Sequence, residues 1–139
     1  MNGLSSKREV DLLRDRAFKM LKHAKKSFSD GDYDIAAFLA KQAVQLFLKS
    51  VILERTGEVP RTHVIRQLFH IFENIFENCA DRVDVFVREN RSLLIRLEEA
   101  YLASRYLFKE YEMEEVRELI DFVEKVINFV KDIQSANRA

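Results

Sequence analysis

The stretch that decides the fold runs from Ser29 to Val64 and reads SDGDYDIAAFLAKQAVQLFLKSVILERTGEVPRTHV. It contains two of the three glycines and the only proline of the chain. Between them lies a helical run that is apolar on nearly every side. Its polar residues form only a narrow strip, made of Lys41, Gln42, Gln45 and Lys49. Such a helix must be covered by other helices or by a second copy of the chain.

Both ends of this central helix are marked in the sequence. Gly31 ends the helix before it, and Asp32 is a good N-cap for a helix from Tyr33 to about Arg55. Gly57 ends the central helix, and Pro60 blocks its continuation because proline lacks the backbone N–H that a helix interior needs.

Apolar residues recur every three or four positions elsewhere in the chain, which predicts further helices. We expect them after Ser6, after a Thr62 cap, over 82–89 after an Asp81 cap, from about Arg91 to Tyr106, and from about Glu114 to Gln134. The sequence therefore predicts an all-α, up-and-down bundle of about five helices, with an extra short helix near 82–89, as one domain over 1–139. Because the connections are short, we expect sequential helices to pack antiparallel.

The central helix carries more apolar surface than one buried face requires. Phe47 and Leu46 are expected in the centre of the core. Phe38, Leu48 and Ile52 are expected on the outside of the bundle, where they would form a homodimer interface.

The composition limits the function. Of 139 residues, 47% are hydrophobic and 33% charged, which is typical of a soluble globular protein. Lys plus Arg equals Asp plus Glu at 23 each, so the whole chain has no general attraction for polyanions. No apolar run approaches the roughly 20 residues of a membrane span, and no signal peptide opens the chain. We expect a cytoplasmic protein that does not contact a membrane.

Residues that could carry chemistry are few. The single cysteine, Cys79, lies in the apolar register of a helix and is expected to be a buried thiol. His63 and His70 are seven positions apart, but a metal site needs at least a third ligand, and the sequence offers none nearby. No phosphate-binding glycine loop, His-Glu-x-x-His or Gly-x-Ser-x-Gly motif is present. We therefore expect neither a metal nor a cofactor.

Several segments together resemble the HEPN family of small helical bundles. These are Gly31-Asp-Tyr33, the alanine-rich aromatic run after it, Gly57-x-x-Pro-Arg-Thr-His63, and Ser104-Arg-Tyr106. Their order and spacing resemble small stand-alone prokaryotic HEPN proteins. The resemblance implies a bundle of about five helices, frequent dimerisation and nucleotide binding. It also implies genomic pairing with a minimal nucleotidyltransferase-fold protein in a toxin–antitoxin-like module.

Many HEPN proteins are metal-independent ribonucleases whose signature is an Arg followed, after four to six residues, by a His. This chain departs from that signature. Arg105 is well placed but has no following His, Arg66 and His70 have three residues between them, and Arg55 and His63 have seven. Arg16 and His23 fit with six, but inside the first helix, where short motifs arise by chance.

The resulting prediction is a HEPN-like domain that binds a nucleotide, RNA or a nucleotidyltransferase-fold partner and has no clear catalytic motif. Two alternatives stay open: a divergent metal-independent HEPN ribonuclease, and a helical interaction module without a ligand. The candidate phosphate- or nucleotide-binding residues are Arg61, His63, Arg105, Tyr106 and Lys49.

Each candidate also has a plainer interpretation. His63 would only pack against the turn that precedes the helix capped by Thr62, and Arg105 would pair with a carboxylate such as Glu110 or Glu114. The strip containing Lys49 would be either a solvated ridge or the wall of a ligand groove. If the helix after Thr62 and the helix that ends near Tyr106 are antiparallel, then Arg61, His63, Arg105 and Tyr106 meet at one end of the bundle.

Overall fold

The computed structural model describes residues 3–102 and 109–138, with side chains over 7–100 and 109–137. All regular elements in these ranges are helices, which confirms the predicted all-α fold. In chain order they are α1 (Gly3–Ser29), α2 (Tyr33–Thr56), α3 (Ile65–Ile75), α4 (Ala80–Glu89), α5 (Arg91–Leu102) and α6 (Met113–Arg138). A single 3₁₀ turn, Glu77–Cys79, precedes α4, and Cys79 is buried as expected.

Helix α2 lies at the centre of the bundle and contacts α1, α3, α5 and α6. It forms an antiparallel hairpin with α1, since Phe28 packs on Tyr33 with ring centroids 5.8 Å apart and Phe18 on Phe47 at 5.9 Å. Four neighbouring helices explain why α2 can be apolar on nearly every side.

Helix α6 closes the bundle against both members of this hairpin. The guanidinium of Arg117 lies 5.6 Å from the ring centre of Phe28, and the ammonium of Lys131 lies 5.3 Å from that of Phe18. These pairs run in opposite order along the two helices, so α6 is antiparallel to α1. Since α1 is also antiparallel to α2, α6 runs parallel to α2.

The connection after α2 folds back along that helix. Gly57 adopts a left-handed φ of 80°, which glycine reaches without the Cβ clash of other residues, and its N–H bonds to the Leu53 carbonyl at 2.8 Å. His63 then lies beside Lys49, and Phe76, just after α3, lies 4.9 Å under the guanidinium of Arg55. The contacts follow the same order along α2 and α3, so the expectation that these two helices are antiparallel is wrong.

The predicted caps are correct in position for α2 but not for the next two helices. Asp32 occupies the N-cap of α2, although its side chain makes no capping hydrogen bond. The N-cap of α3 is Val64, in extended conformation, and not the predicted Thr62. The hydroxyl of Thr62 accepts a hydrogen bond from the Val64 N–H at 3.2 Å, so it does not cap the first turn of α3. Cys79 precedes α4, which places Asp81 inside its first turn.

Two of the three α2 residues that were predicted on the outside of the bundle are not there. Leu48 and Ile52 are fully buried within the chain, and Phe38 is half-buried. The reason is the number of helices around α2, which cover the sides that a second copy was expected to cover. Phe47 is buried as predicted, whereas Leu46 is only half-buried against the core.

The expectation that no apolar run is long enough for a membrane span also needs correction. By length and composition alone, α2 is long and apolar enough to cross a membrane. However, 72% of its most apolar window is buried inside the bundle, which is how the core helix of a globular domain looks.

Candidate functional site

Three of the four residues in the polar strip of α2 are buried. Lys41 is 5% exposed, and Gln45 and Lys49 are each 6% exposed. Their spacing of four places all three on one face of the helix. The strip is therefore not a solvated ridge, and two lysine side chains are enclosed in the protein where charge is costly.

These side chains converge on His63, which lies in the segment that folds back along α2. The Gln45 amide nitrogen and the Lys49 ammonium each lie 3.0 Å from Nδ1 of His63. The Lys41 ammonium donates to the amide oxygen of the same Gln45. Because an ammonium can only donate, Nδ1 must accept, and the neutral ring then carries its proton on Nε2.

The electrostatics of this network agree with its geometry. The positive charge of Lys49, followed by desolvation and the charge of Lys41, lowers the pKa of His63 below its usual value. Burial lowers the pKa of Lys49, and burial together with the charge of Lys49 lowers that of Lys41. All three groups therefore favour an added negative charge.

A groove of about 300 Å³ opens beside this network, and we call it the basic groove. Its lining residues come from α2, from the segment before α3, from α3 and from α5: Lys41, His63, Val64, Arg66, Ile95, Glu98 and Glu99. Arg66 is held by Glu98, with its Nε 2.7 and 3.1 Å from the two carboxylate oxygens. Lys49 lies behind His63 rather than in the lining.

A second groove of about 650 Å³ adjoins the first, and we call it the outer groove. The two grooves share Val64 and Arg66 in their linings. The outer groove adds two exposed basic side chains, Arg61 and His70, and the apolar Pro60 and Ile71. Together the two grooves form a continuous surface that contains the cations Lys41, Arg61 and Arg66 and the carboxylates Glu98 and Glu99.

The structure brings some of the predicted site residues together. His63 and Lys49 are in direct contact, and Arg61 lines the adjoining outer groove. Arg105 and Tyr106 lie outside the described residues, so their meeting with His63 stays a prediction.

Arg66 and its partner Glu98 are groove residues that were not predicted as site residues from the sequence. They come from different helices and are 32 positions apart, so no local pattern joins them. For Lys41 and Gln45 a signal did exist, since their spacing to Lys49 placed them on one polar strip.

A comparison with known protein families shows to which family the chain belongs. A family model described as the HEPN domain matches residues 10–133, which is most of the chain. This chain belongs to the HEPN domain family. Neither the curated proteins nor the solved structures give a match.

The Arg–His pairs considered for HEPN ribonuclease chemistry are dispersed. The guanidinium of Arg55 lies over the ring of Phe76. Arg66 and His70 both line the outer groove, with Arg66 held by Glu98. Arg16 and His23 are exposed on α1, which contacts neither α3 nor α5.

Proposed function

We propose that this HEPN domain binds the phosphate group of a nucleotide or RNA in the basic groove. One observation carries the proposal: Lys49 is buried, yet it forms no ion pair within residues 7–100 and 109–137. A buried cation whose only polar contact among these residues is the neutral His63 has a large desolvation cost that no counter-charge there offsets. An anion bound nearby would reduce that cost.

The groove supplies suitable groups for such an anion. Lys41 and Arg66 line it from two helices, and the Nε2–H of His63 is available as a donor because Nδ1 is already occupied. Charged donors of this kind form short, strong hydrogen bonds to phosphate oxygens. Lys49 would act through the field behind His63 rather than by direct contact.

A titration tests this function. Adenosine monophosphate, guanosine monophosphate and a short single-stranded RNA would be titrated into the wild type and the Lys49→Gln variant. We expect the variant to bind at least tenfold more weakly. Lys22→Gln is the matched control, because Lys22 is exposed on α1, away from α3 and α5, and should bind as the wild type does.

Failure of every ligand to bind the wild type would contradict the proposal and leave the ligand-free interaction module. The divergent ribonuclease is tested separately, by incubating RNA with the wild type and with Arg105→Ala. RNA cleavage by the wild type that is lost in Arg105→Ala would show that the protein is a ribonuclease.

We further propose that the domain works in the cytoplasm as a homodimer, with a nucleotidyltransferase-fold protein as partner in a toxin–antitoxin-like module. The support is membership of the HEPN domain family. A neighbouring gene for such a protein, and co-purification of the two products, would be the expected results. A gene neighbourhood without one would contradict the partnership.

A further inference from the structure

We infer that a second copy of this chain docks on α4, with the two α4 helices antiparallel across a twofold axis. This inference rests on the proposed homodimer and names its interface. It is carried by an apolar groove between α4 and α6 and by the charges at the two ends of that groove. We call this surface the α4 face, and its residues are Asp81, Arg82, Val85, Phe86, Glu89 and Phe129.

The centre of the α4 face is apolar. A groove of about 370 Å³ lies there between α4 and α6. Its floor is the ring of Phe86, whose centre lies 4.0 Å from that of the stacked Phe129 ring on α6. Val85 lines the same groove and is 39% exposed. An apolar side chain of a docked copy would cover both Val85 and the rings, which removes apolar surface from water.

Two opposite charges, Arg82 and Glu89, lie at the ends of this apolar centre. With Val85 and Phe86 they occupy positions i, i+3, i+4 and i+7, which share one face of a helix. Seven residues separate Arg82 from Glu89 by about 10 Å along the axis. Both are exposed, and neither forms an ion pair with another side chain in the described part of the chain. Each is therefore available to a partner.

The stability of α4 itself does not explain these two charges. A helix favours acidic side chains in its first turn and basic ones in its last, because of its dipole. Arg82 lies in the first turn of α4 and Glu89 at its last position, which is the reverse. In an antiparallel pair, Arg82 would lie beside the carboxyl end of the partner's α4, and Glu89 beside its amino end. Both charges would then match the dipole of the neighbouring helix.

The order of residues on the α4 face is self-complementary. If the twofold axis passes between positions 85 and 86, Arg82 faces the partner's Glu89 and Glu89 faces the partner's Arg82, because both are equally far from the axis. Asp81 falls opposite Asn90, which carries no charge. A twofold interface brings one surface against its own copy and so must be complementary to itself. An unrelated partner would need no such symmetry, so the pattern favours a second copy.

Charge reversal tests this pairing. Sedimentation equilibrium would measure dimerisation of the wild type, Arg82→Glu, Glu89→Arg and an equimolar mixture of the two variants, after circular dichroism has shown that each is folded. Each variant alone places like charges opposite each other and should dimerise at least about tenfold more weakly than the wild type. In the mixture every reversed charge meets its opposite, so dimers with one copy of each variant should form again.

Arg88→Glu is the matched control, because it makes the same charge change on another side of α4, where Arg88 pairs with Asp84 at 2.9 Å. It should dimerise as the wild type does, and equal weakening in this control would overturn the inference. Undiminished dimers of Arg82→Glu and Glu89→Arg would overturn the α4 interface and leave the homodimer in place. Weakened variants whose mixture does not dimerise would overturn the antiparallel pairing. A wild type that is monomeric at every concentration would overturn the inference together with the proposed homodimer.

Discussion

His63 is the residue on which the candidate site depends most directly. Its ring is exposed, but its Nδ1 accepts from two side chains of a buried strip on α2. Protonation at Nδ1 would remove that acceptor and place a third positive charge beside Lys41 and Lys49. The neutral ring is therefore part of what holds the segment after α2 in place.

This contact predicts a pH dependence of stability. The pKa of His63 is lowered from 6.5 in the folded chain, chiefly by Lys49, so the unfolded chain binds the proton first as the pH falls. The contribution of His63 to the free energy of unfolding should thus be constant well above pH 6.5. It should fall as the pH drops from 6.5 toward the lower pKa of His63 in the folded chain. Urea unfolding at pH 7.5 and 5.5 measures it.

His63→Gln is the control for that measurement, because glutamine retains an acceptor oxygen but does not titrate. The wild type should lose more stability than His63→Gln on acidification. An equal loss in both proteins would show that His63 does not titrate against the lysines.

Glu98 should oppose anion binding, because it lies in the groove wall and neutralises Arg66. We expect Glu98→Gln to bind nucleoside monophosphates several-fold more tightly, since a repulsive charge is removed and Arg66 is released. Loss of this half-buried ion pair should cost about 1 kcal/mol of stability. Calorimetric titration and urea unfolding provide the two measurements.

Glu118→Gln is the matched control, because it breaks the exposed Arg96–Glu118 pair on α5 and α6, away from the groove lining. Its nucleotide affinity should be unchanged. Equal tightening in both variants would mean that only the overall charge of the protein matters.

At the scale of elements, α2 organises the whole bundle. Its apolar residues meet α1, α3, α5 and α6, and its single polar strip meets the segment that carries His63. The same helix thus supplies both the centre of the core and the floor of the candidate site. Substitutions on its different sides should therefore have separable effects.

Phe47 tests the core side of α2. Its side chain is 1% exposed and packs on Phe18. Phe47→Ala should lower the free energy of unfolding by about 3–5 kcal/mol, because truncation leaves a cavity as well as removing apolar contact. Phe18→Ala removes the partly exposed ring of the same pair and should cost only about 1 kcal/mol. Similar costs for the two would place Phe47 at the edge of the core.

At the scale of the whole molecule, assembly is the main open prediction. Leu48 and Ile52 are enclosed by the chain itself, so they cannot form the dimer contact expected from the sequence. The predicted homodimer now rests on the family relationship. Light scattering at micromolar concentration should give about twice the chain mass of 16.4 kDa. A single monomeric mass at every concentration would contradict it.

The sequence was sufficient for the helices and insufficient for how they pack. Apolar periodicity and the glycines at 31 and 57 gave the elements, because both act locally. The direction of α3 and the Arg66–Glu98 contact depend on how distant segments cross, which spacing does not encode. The sequence correctly predicted that the apolar surface of α2 must be buried. The helices that bury it include α5 and α6 as well as its sequence neighbours α1 and α3.

The position of α6 against both α1 and α2 has a consequence for how the protein is made. More than fifty residues separate the end of α2 from the start of α6. At a synthesis rate of about 5–20 residues per second, the side of α2 that α6 covers stays open for seconds while the ribosome synthesises the residues through α6. During that interval the nascent hairpin presents an unusually apolar helix to its surroundings. The exposure of this domain to misassociation is therefore expected to be greatest before α6 docks.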